Sequence, residues 1–539
     1  MGTYLTLDDR SLGAGRIALA AVLLFDLARR IPGLATWYTN EGLLPNHTLL
    51  WQPAYDHALS LFYIASREPE AALGFVLCGA AYAMLLVGWR TRLAQGLSLV
   101  AVLSLHGRVL FVQNGGDVVL SEFCLWTLFL PTGRRFSLDA LRLARAPRRP
   151  GGAVAVASTA SAADHEVTSL ACLAILLQLA AIYFFNGIQK SGPAWTSGSA
   201  VHYALYADGQ ATQLAVWLRP HITLGISQIL TRAAILIELA APLLILVPFA
   251  TSWARLTAVI LLFGLHAGFA LFLNLGVFSP AMIACLPNLL PPRFWSRSGH
   301  LRFATALTRT TLRLWDRLAP RVARLVCILG ALLALPRREP DRYPGMTGAP
   351  SIRRTGVFLR EAAVLMLILI AGTQLGVENP AMPARLRSIQ PHWAHVVVNG
   401  LQLLEGWTMF APEPPMGDRT VIVDAVTSDG RHVDPLNEAA RGRDRPPFTA
   451  ATIPAGLGYN VFFGTYLDRI SDFDAYHRAL MEWIVRYPER TGRPRDALAS
   501  FEVLLVENDS PAPGALVSSN PRATTLFRFP QSPQSRIER

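Results

Sequence analysis

Residues 170–195 read LACLAILLQLAAIYFFNGIQKSGPAW: an unbroken apolar stretch that ends in a polar turn carrying Asn186, Gly187 and Lys190. A segment of ~20 apolar residues is long enough to cross ~30 Å of hydrocarbon as a helix. The stretch 167–186 therefore reads as a membrane span, with Lys190 just beyond its end. Working outward, the same reading applies to 12–31, 71–88, 93–112, 118–131, 229–249, 256–274, 276–290 and 356–377. Two of these, 118–131 and 276–290, are short for a crossing. A further apolar piece at 322–336 has arginines on both sides and reads as interfacial or re-entrant.

The composition agrees. The chain has 539 residues, 52% of them hydrophobic and only 16% charged, and its mean hydropathy is +0.33. Soluble domains carry about a quarter charged residues. An ordinary cytosolic enzyme and a wholly disordered chain are both excluded. The first stretch is not a cleavable signal, because it carries Asp26, ends in Arg29-Arg30 and lacks a small-residue cleavage site. The five cysteines all lie in apolar stretches and form no metal-ligand spacing.

Arginine placement sets an orientation. The 132–165 loop holds six arginines and the 293–354 segment thirteen, while 113–117 has none. With Arg90 and Arg92, these basic segments share one side if nine spans alternate from a cytoplasmic N-terminus. Arg29 and Arg30 are the exception. The net charge of +12 is then an inside anchor. Nucleic acid is not an expected partner, since the basic loops lie between apolar spans without interleaved aromatics.

Past the last span the pattern changes. Thr420–Val426 followed by Ser428-Asp429-Gly430 reads as a strand entering a turn. Phe473–Tyr487 has helical apolar spacing, and Phe501–Val506 reads as another strand. The chain thus divides into a transmembrane domain, 1–377, and an extracytoplasmic α+β domain, 378–539. Residues 150–163 and 337–355 read as irregular connectors.

Ionisable groups within membrane spans are costly and are candidates for function. Here they include Asp26, His106, Arg108, Glu122, Glu238 and His266, with the polar Gln178 and Asn186. Lys190 is set apart by count: it is the only lysine, beside 48 arginines. Arginine can anchor a helix end as well as lysine can. Arginine cannot give up its proton in a protein, whereas a desolvated lysine can. Lys190 is therefore a candidate general base. The turn Gln113-Asn114-Gly115-Gly116-Asp117 and the loop Tyr38–Pro45 fall on the same outer side, so all three elements are expected to meet at one outward-facing pocket. His392 and His395 lack a third ligand, and no metal site is expected. Gly13-Ala-Gly15-Arg-Ile-Ala18 imitates a dinucleotide fingerprint, but no strand precedes it.

An ordered series of short motifs now gains meaning. It runs through Tyr38–Pro45, Gly88-Trp-Arg-Thr-Arg92, Asn114-Gly-Gly-Asp117, and Phe129-Leu-Pro131 through Ser137-Leu-Asp139. It continues with Tyr183-Phe through Lys190 to Trp195 and Gly198, then His266, Phe278-Ser279 and Trp407-Thr-Met-Phe-Ala-Pro412. By this series the chain resembles the bacterial HTTM (horizontally transferred transmembrane) family, which is related to the vitamin K-dependent gamma-glutamyl carboxylase. The resemblance covers roughly residues 10–430. It implies a polytopic membrane enzyme of the inner (plasma) membrane, embedded in the lipid bilayer. Lys190 would be the base that takes a proton from a reduced vitamin K-type quinone such as menaquinol, with CO2 and O2 as co-substrates. His266 is the second catalytic candidate, and Asn114, Asp117, Tyr183, Asn186 and Trp195 would line the quinone site. A peptide or protein bearing glutamyl groups would meet the extracytoplasmic domain, which is much shorter than that of the eukaryotic carboxylase. Two other readings stay open: a different quinone- or lipid-linked reaction on the same scaffold, and a non-enzymatic membrane binding or assembly protein in which Lys190 merely snorkels to the interface.

Overall fold

The computed structural model describes residues 2–145, 165–296, 350–387, 390–437, 461–515 and 522–530. The expected re-entrant piece 322–336, the connector 150–163 and most of the connector 337–355 lie outside the described residues. All nine apolar stretches are helical. Among the described residues, six helices are long and apolar enough to cross a membrane: Asp9–Tyr38, Glu68–Val87, Leu170–Ile188, Leu224–Leu246, Thr251–Phe272 and Arg354–Glu378. The protein is a multi-pass membrane protein of helical class.

The other three stretches differ for a physical reason. Gly115–Leu128 has 14 residues, about 21 Å of helix, short of the hydrocarbon thickness. It is buried continuously from Gly116 to Thr127, so it is an internal helix enclosed by its neighbours. Phe278–Cys285 packs against it and against Asp9–Arg30. Thr91–Arg108 buries Gln95, Ser98, Ser104, His106 and Arg108, a polar load suited to a protein interior. The longer helices pair as sequence neighbours, Glu68–Val87 with Thr91–Arg108 and Leu224–Leu246 with Thr251–Phe272, while Leu170–Ile188 packs on Leu224–Leu246.

Several of the recurring motifs build one end of this bundle. The Arg16 guanidinium is buried and donates to the carbonyls of Leu85, Leu86, Thr132 and Phe136. It thereby ties carbonyls in the last turn of Glu68–Val87 to the loop that follows Gly115–Leu128. Gly88 ends the helix at φ +67°, and a Cβ there would overlap Ser137 and approach the Arg16 guanidinium. Asp139 accepts from the backbone N–H of Arg90 and Thr91 and from the Thr91 hydroxyl. The 88–92 and 129–139 motifs are thus structural.

Beyond the last span, β3 (Gly417–Thr427), β4 (His432–Val433), β5 (Leu498–Asp509) and β6 (Arg522–Phe529) form an antiparallel sheet in the order β4-β3-β5-β6; β1 (Thr6–Asp8) and β2 (Glu166–Thr168) pair separately. The expected strand, turn and helix are present. The helix runs His477–Val485 after a short 3-10 turn at Asp474–Tyr476. Helix Val461–Ile470 packs against β3. From its last turn, Arg469 donates to the carbonyls of Leu110, Phe111 and Gln113. This fastens the C-terminal region to the turn that precedes Asn114.

Candidate active site

Helix Leu170–Ile188 starts on a Ser169 cap and loses its apolar run at Asn186-Gly187. Lys190 follows its end. The Lys190 side chain is 3% exposed and that of Glu238, on Leu224–Leu246, 7%. Lys190 Nζ donates to Glu238 Oε2 at 2.6 Å and to the Asn186 carbonyl at 3.2 Å. It also lies 5.1 Å from the ring centroid of Trp195, within cation–π range. Burial pushes the Lys190 ammonium below its ordinary range, with the Glu238 carboxylate pulling the other way. A snorkelling lysine would present its ammonium to water; this one turns inward.

The roof over the ion pair comes from residues 402–413. Met409 N–H donates to Asn186 Oδ1 at 2.9 Å, and Trp195 Nε1 donates to the Phe410 carbonyl at 2.8 Å. Gly192 N–H donates to the Pro412 carbonyl at 3.1 Å. The Glu413 carboxylate accepts from the Ala194 N–H, and a Cβ at Gly192 would overlap it. Gln189 Nε2 reaches Asn379 Oδ1 at 3.2 Å and the Trp407 carbonyl at 2.9 Å. The spacing of glycine, lysine and tryptophan in 187–195 therefore fits a second chain segment lying across it.

The other outer elements assemble elsewhere. Asn114 caps Gly115–Leu128: its side chain accepts from Gly116 N–H at 2.8 Å, and Asp117 Oδ2 accepts from Asn114 N–H at 3.0 Å. Arg30 donates to Asp26 Oδ2 and Asp117 Oδ1, both at 2.7 Å, and to the Tyr38 hydroxyl at 2.9 Å. His106 Nδ1 pairs with Ser121 Oγ at 3.1 Å, and its Nε2 lies 3.4 Å from Asp26 and 3.6 Å from Asp117. Asp26, His106 and Asp117 hold ligand atoms within 4.8 Å of one another. Metal-like spacing notwithstanding, the Arg30 guanidinium already sits on both carboxylates and supplies the positive charge. Arg30 is a buried structural ion, which is why it defied the orientation drawn from loop arginines.

One shared pocket was expected from Tyr38–Pro45, Asn114–Asp117 and Lys190. Tyr38 and Asp117 do meet through Arg30, but they share no hydrogen-bond partner with Lys190 among the described residues. Met409 lies between the two groups, bonded to Asn186 through its N–H and close to Gly115 through its sulfur. His266 shares a 2.8 Å hydrogen bond with the Tyr183 hydroxyl and packs on Phe278. Tyr183 precedes Lys190 by seven residues, about 10 Å along a helix, so His266 supports the helix below the ion pair. Sequence reasoning flagged Glu238 without pairing it to Lys190. A lone acidic group in an apolar span needs a cation from another helix, and the single lysine was the signal. It missed Glu405 and Glu413, which read as loop acids after the last span.

Three buried polar atoms bond to nothing among the described residues: His266 Nδ1, Ser279 Oγ and Asn114 Nδ2. No curated protein and no solved structure matches the chain. Residues 123–294, the part that contains Tyr183, Lys190, Glu238 and His266, match the family model of the HTTM domain.

Proposed function

We propose that this protein is an integral membrane enzyme of the kind related to vitamin K-dependent gamma-glutamyl carboxylase, with Lys190 as the general base at an outward-facing site. The observation that carries this reading is the burial of the only lysine against Glu238 at 2.6 Å, inside the segment that matches the HTTM domain. Burial penalises both charges of such a pair. Passing the ammonium proton from Nζ to Oε2 relieves both at once and leaves a neutral amine, which then accepts the proton of a phenolic hydroxyl. Trp195 and the 405–413 segment exclude water from the amine, and Asn186 fixes its position through the carbonyl it offers.

A reduced quinone, when bound, supplies the reducing power that turns O2 into a base strong enough for carboxylation of a glutamyl group by CO2. The quinone is assigned to the Lys190 side, near Tyr183, Asn186 and Trp195, whereas Asn114 and Asp117 belong to the Arg30 cluster beyond Met409. In this reading residues 1–377 form the membrane domain and the N-terminus is cytoplasmic. Residues 378–539 are extracytoplasmic, in the plasma membrane, and receive the peptide or protein substrate.

The test is incorporation of labelled CO2 into glutamyl peptides by the full-length protein with reduced menaquinone. Lys190→Arg keeps the charge but cannot become a neutral base, so activity falls on the order of 10²–10⁴-fold. Wild-type activity in Lys190→Arg sinks the proposal. Quinol consumption without CO2 incorporation reassigns the site to another quinone-linked reaction.

A further inference from the structure

A second feature lies along the same helices, one to two turns from Glu238 and away from Lys190. A cavity of about 350 Å³ opens between Leu170–Ile188, Leu224–Leu246 and the last span, walled by Ala181, Phe184, Pro242 and Ile368. That volume is in the range of small-molecule sites. Its lining is apolar except at one end, where Gln178 and Glu405 sit.

The polar end is nearly spent. Trp126 Nε1 donates to Gln178 Oε1 at 3.3 Å, and Gln178 Nε2 donates to Glu405 Oε2 at 3.0 Å. Trp407 Nε1 donates to the same oxygen at 2.8 Å. Glu405 Oε1 is left without a partner among the described residues, on a residue that lines the cavity and is 1% exposed. The cavity therefore offers a ligand one hydrogen-bonding atom and otherwise only hydrocarbon. Leu177 and Phe184, which line it, are also exposed on the outside of the bundle, at 37% and 44%. Access is thus from the lipid side.

We propose that this cavity binds an apolar molecule with a single uncharged oxygen head group, drawn from the bilayer, whose head bonds Glu405 Oε1. A charged head is disfavoured. An anion would lose its hydration in a cavity that is otherwise hydrocarbon and whose polar end holds two acid side chains, Glu405 and Glu378, the latter accepting from the Glu405 backbone N–H. A cation is disfavoured because burial holds the Glu405 carboxyl up at about 8, so that it is uncharged at neutral pH. As a neutral acid whose Oε2 takes both N–H donors, it turns its O–H outward from Oε1. A carbonyl or hydroxyl oxygen is the complement.

Equilibrium binding to the full-length protein in lipid nanodiscs tests this, with three probes: 1-dodecanol, a prenylated naphthoquinone and dodecane. Wild type binds at least one oxygen-headed probe more tightly than dodecane. Which of the two it prefers identifies the source of the head group. Glu405→Leu lowers affinity for that probe by about tenfold, the loss of one buried hydrogen bond, and leaves dodecane unchanged. Glu405→Gln, which keeps a hydrogen-bonding head, retains most of the affinity. Ala181→Trp, which fills the cavity, abolishes binding of 1-dodecanol and dodecane and the Glu405-dependent part of naphthoquinone binding. Equal affinity of both headed probes for wild type and Glu405→Leu, or binding unaffected by Ala181→Trp, overturns the proposal. The 1-dodecanol and dodecane arms do not involve the site assigned to the quinone, so their outcome is separate from that of the catalytic reading.

Discussion

Two buried ionic clusters lie at the same end of the helix bundle, and they are built differently. Around Arg30, one guanidinium bridges two carboxylates, Asp26 and Asp117, with His106 alongside. Around Lys190, one ammonium faces one carboxylate, Glu238. Arginine does not titrate in proteins and its planar fork spans two acceptors, so the first cluster is a fixed charge that ties Asp9–Arg30 to Gly115–Leu128. Lysine loses its proton when desolvated, and a one-to-one pair has somewhere to send it. The difference teaches that buried charge alone does not mark chemistry; the capacity to move a proton does.

The comparison can be broken most sharply at Arg30. Arg30→Met leaves two carboxylates buried without a cation and should cost about 3–5 kcal/mol of stability, read as a lowered unfolding midpoint in detergent micelles. An unchanged midpoint would remove the structural role assigned to this cluster. Glu238→Gln should cost less, about 1–3 kcal/mol, because the Lys190 amine can shed its proton. The double variant Lys190→Met, Glu238→Met should return much of that loss, since a buried pair replaced by apolar groups is often neutral. A double variant worse than the sum of the singles would show that the pair is there for stability.

A pH dependence sharpens the idea of a movable proton. Glu405 holds its proton up to about pH 8 in the folded protein, whereas an unfolded glutamate releases it near the usual value. Between those points the folded state binds more protons, so stability falls as pH rises, with a slope of at most about 1.4 kcal/mol per pH unit. Glu378 and Glu122 are the acids beside it, and Glu405→Gln isolates its share: thermal melts at pH 5 to 8 should flatten in that variant. The smallest expected effect is at Tyr183. Tyr183→Phe removes the bond to His266 and should cost about 1 kcal/mol, with carboxylation, if present, retained to within a few-fold. A loss as large as that of Lys190→Arg would place His266 in the reaction instead of beneath it.

Much of the fold was legible. Nine apolar stretches became helices because apolar length and the lack of breakers leave the backbone no other way to satisfy itself in lipid. Which of them cross was less legible. Gly115–Leu128 is as apolar as a true span yet is packed on all sides by protein, and Thr91–Arg108 is nearly as long yet buries a polar face. Burial by protein and burial by lipid leave similar marks on a single sequence. The strand at Thr420–Val426 and the helix near 477 were readable from alternation and 3.6-residue spacing. The docking of Arg469 onto the carbonyls of residues 110–113 was not, because it joins positions more than 350 residues apart.

The sequence by itself determined that this is a multi-pass membrane protein, and it singled out Lys190, because composition and the uniqueness of one residue need no third dimension. Only the tertiary structure decided what Lys190 faces, that Arg30 is a buried tie between two helices, and that Glu405 stands at the end of an apolar cavity. Those are facts about partners brought together across hundreds of residues, and an ion's chemistry is set by its partners and its distance from water.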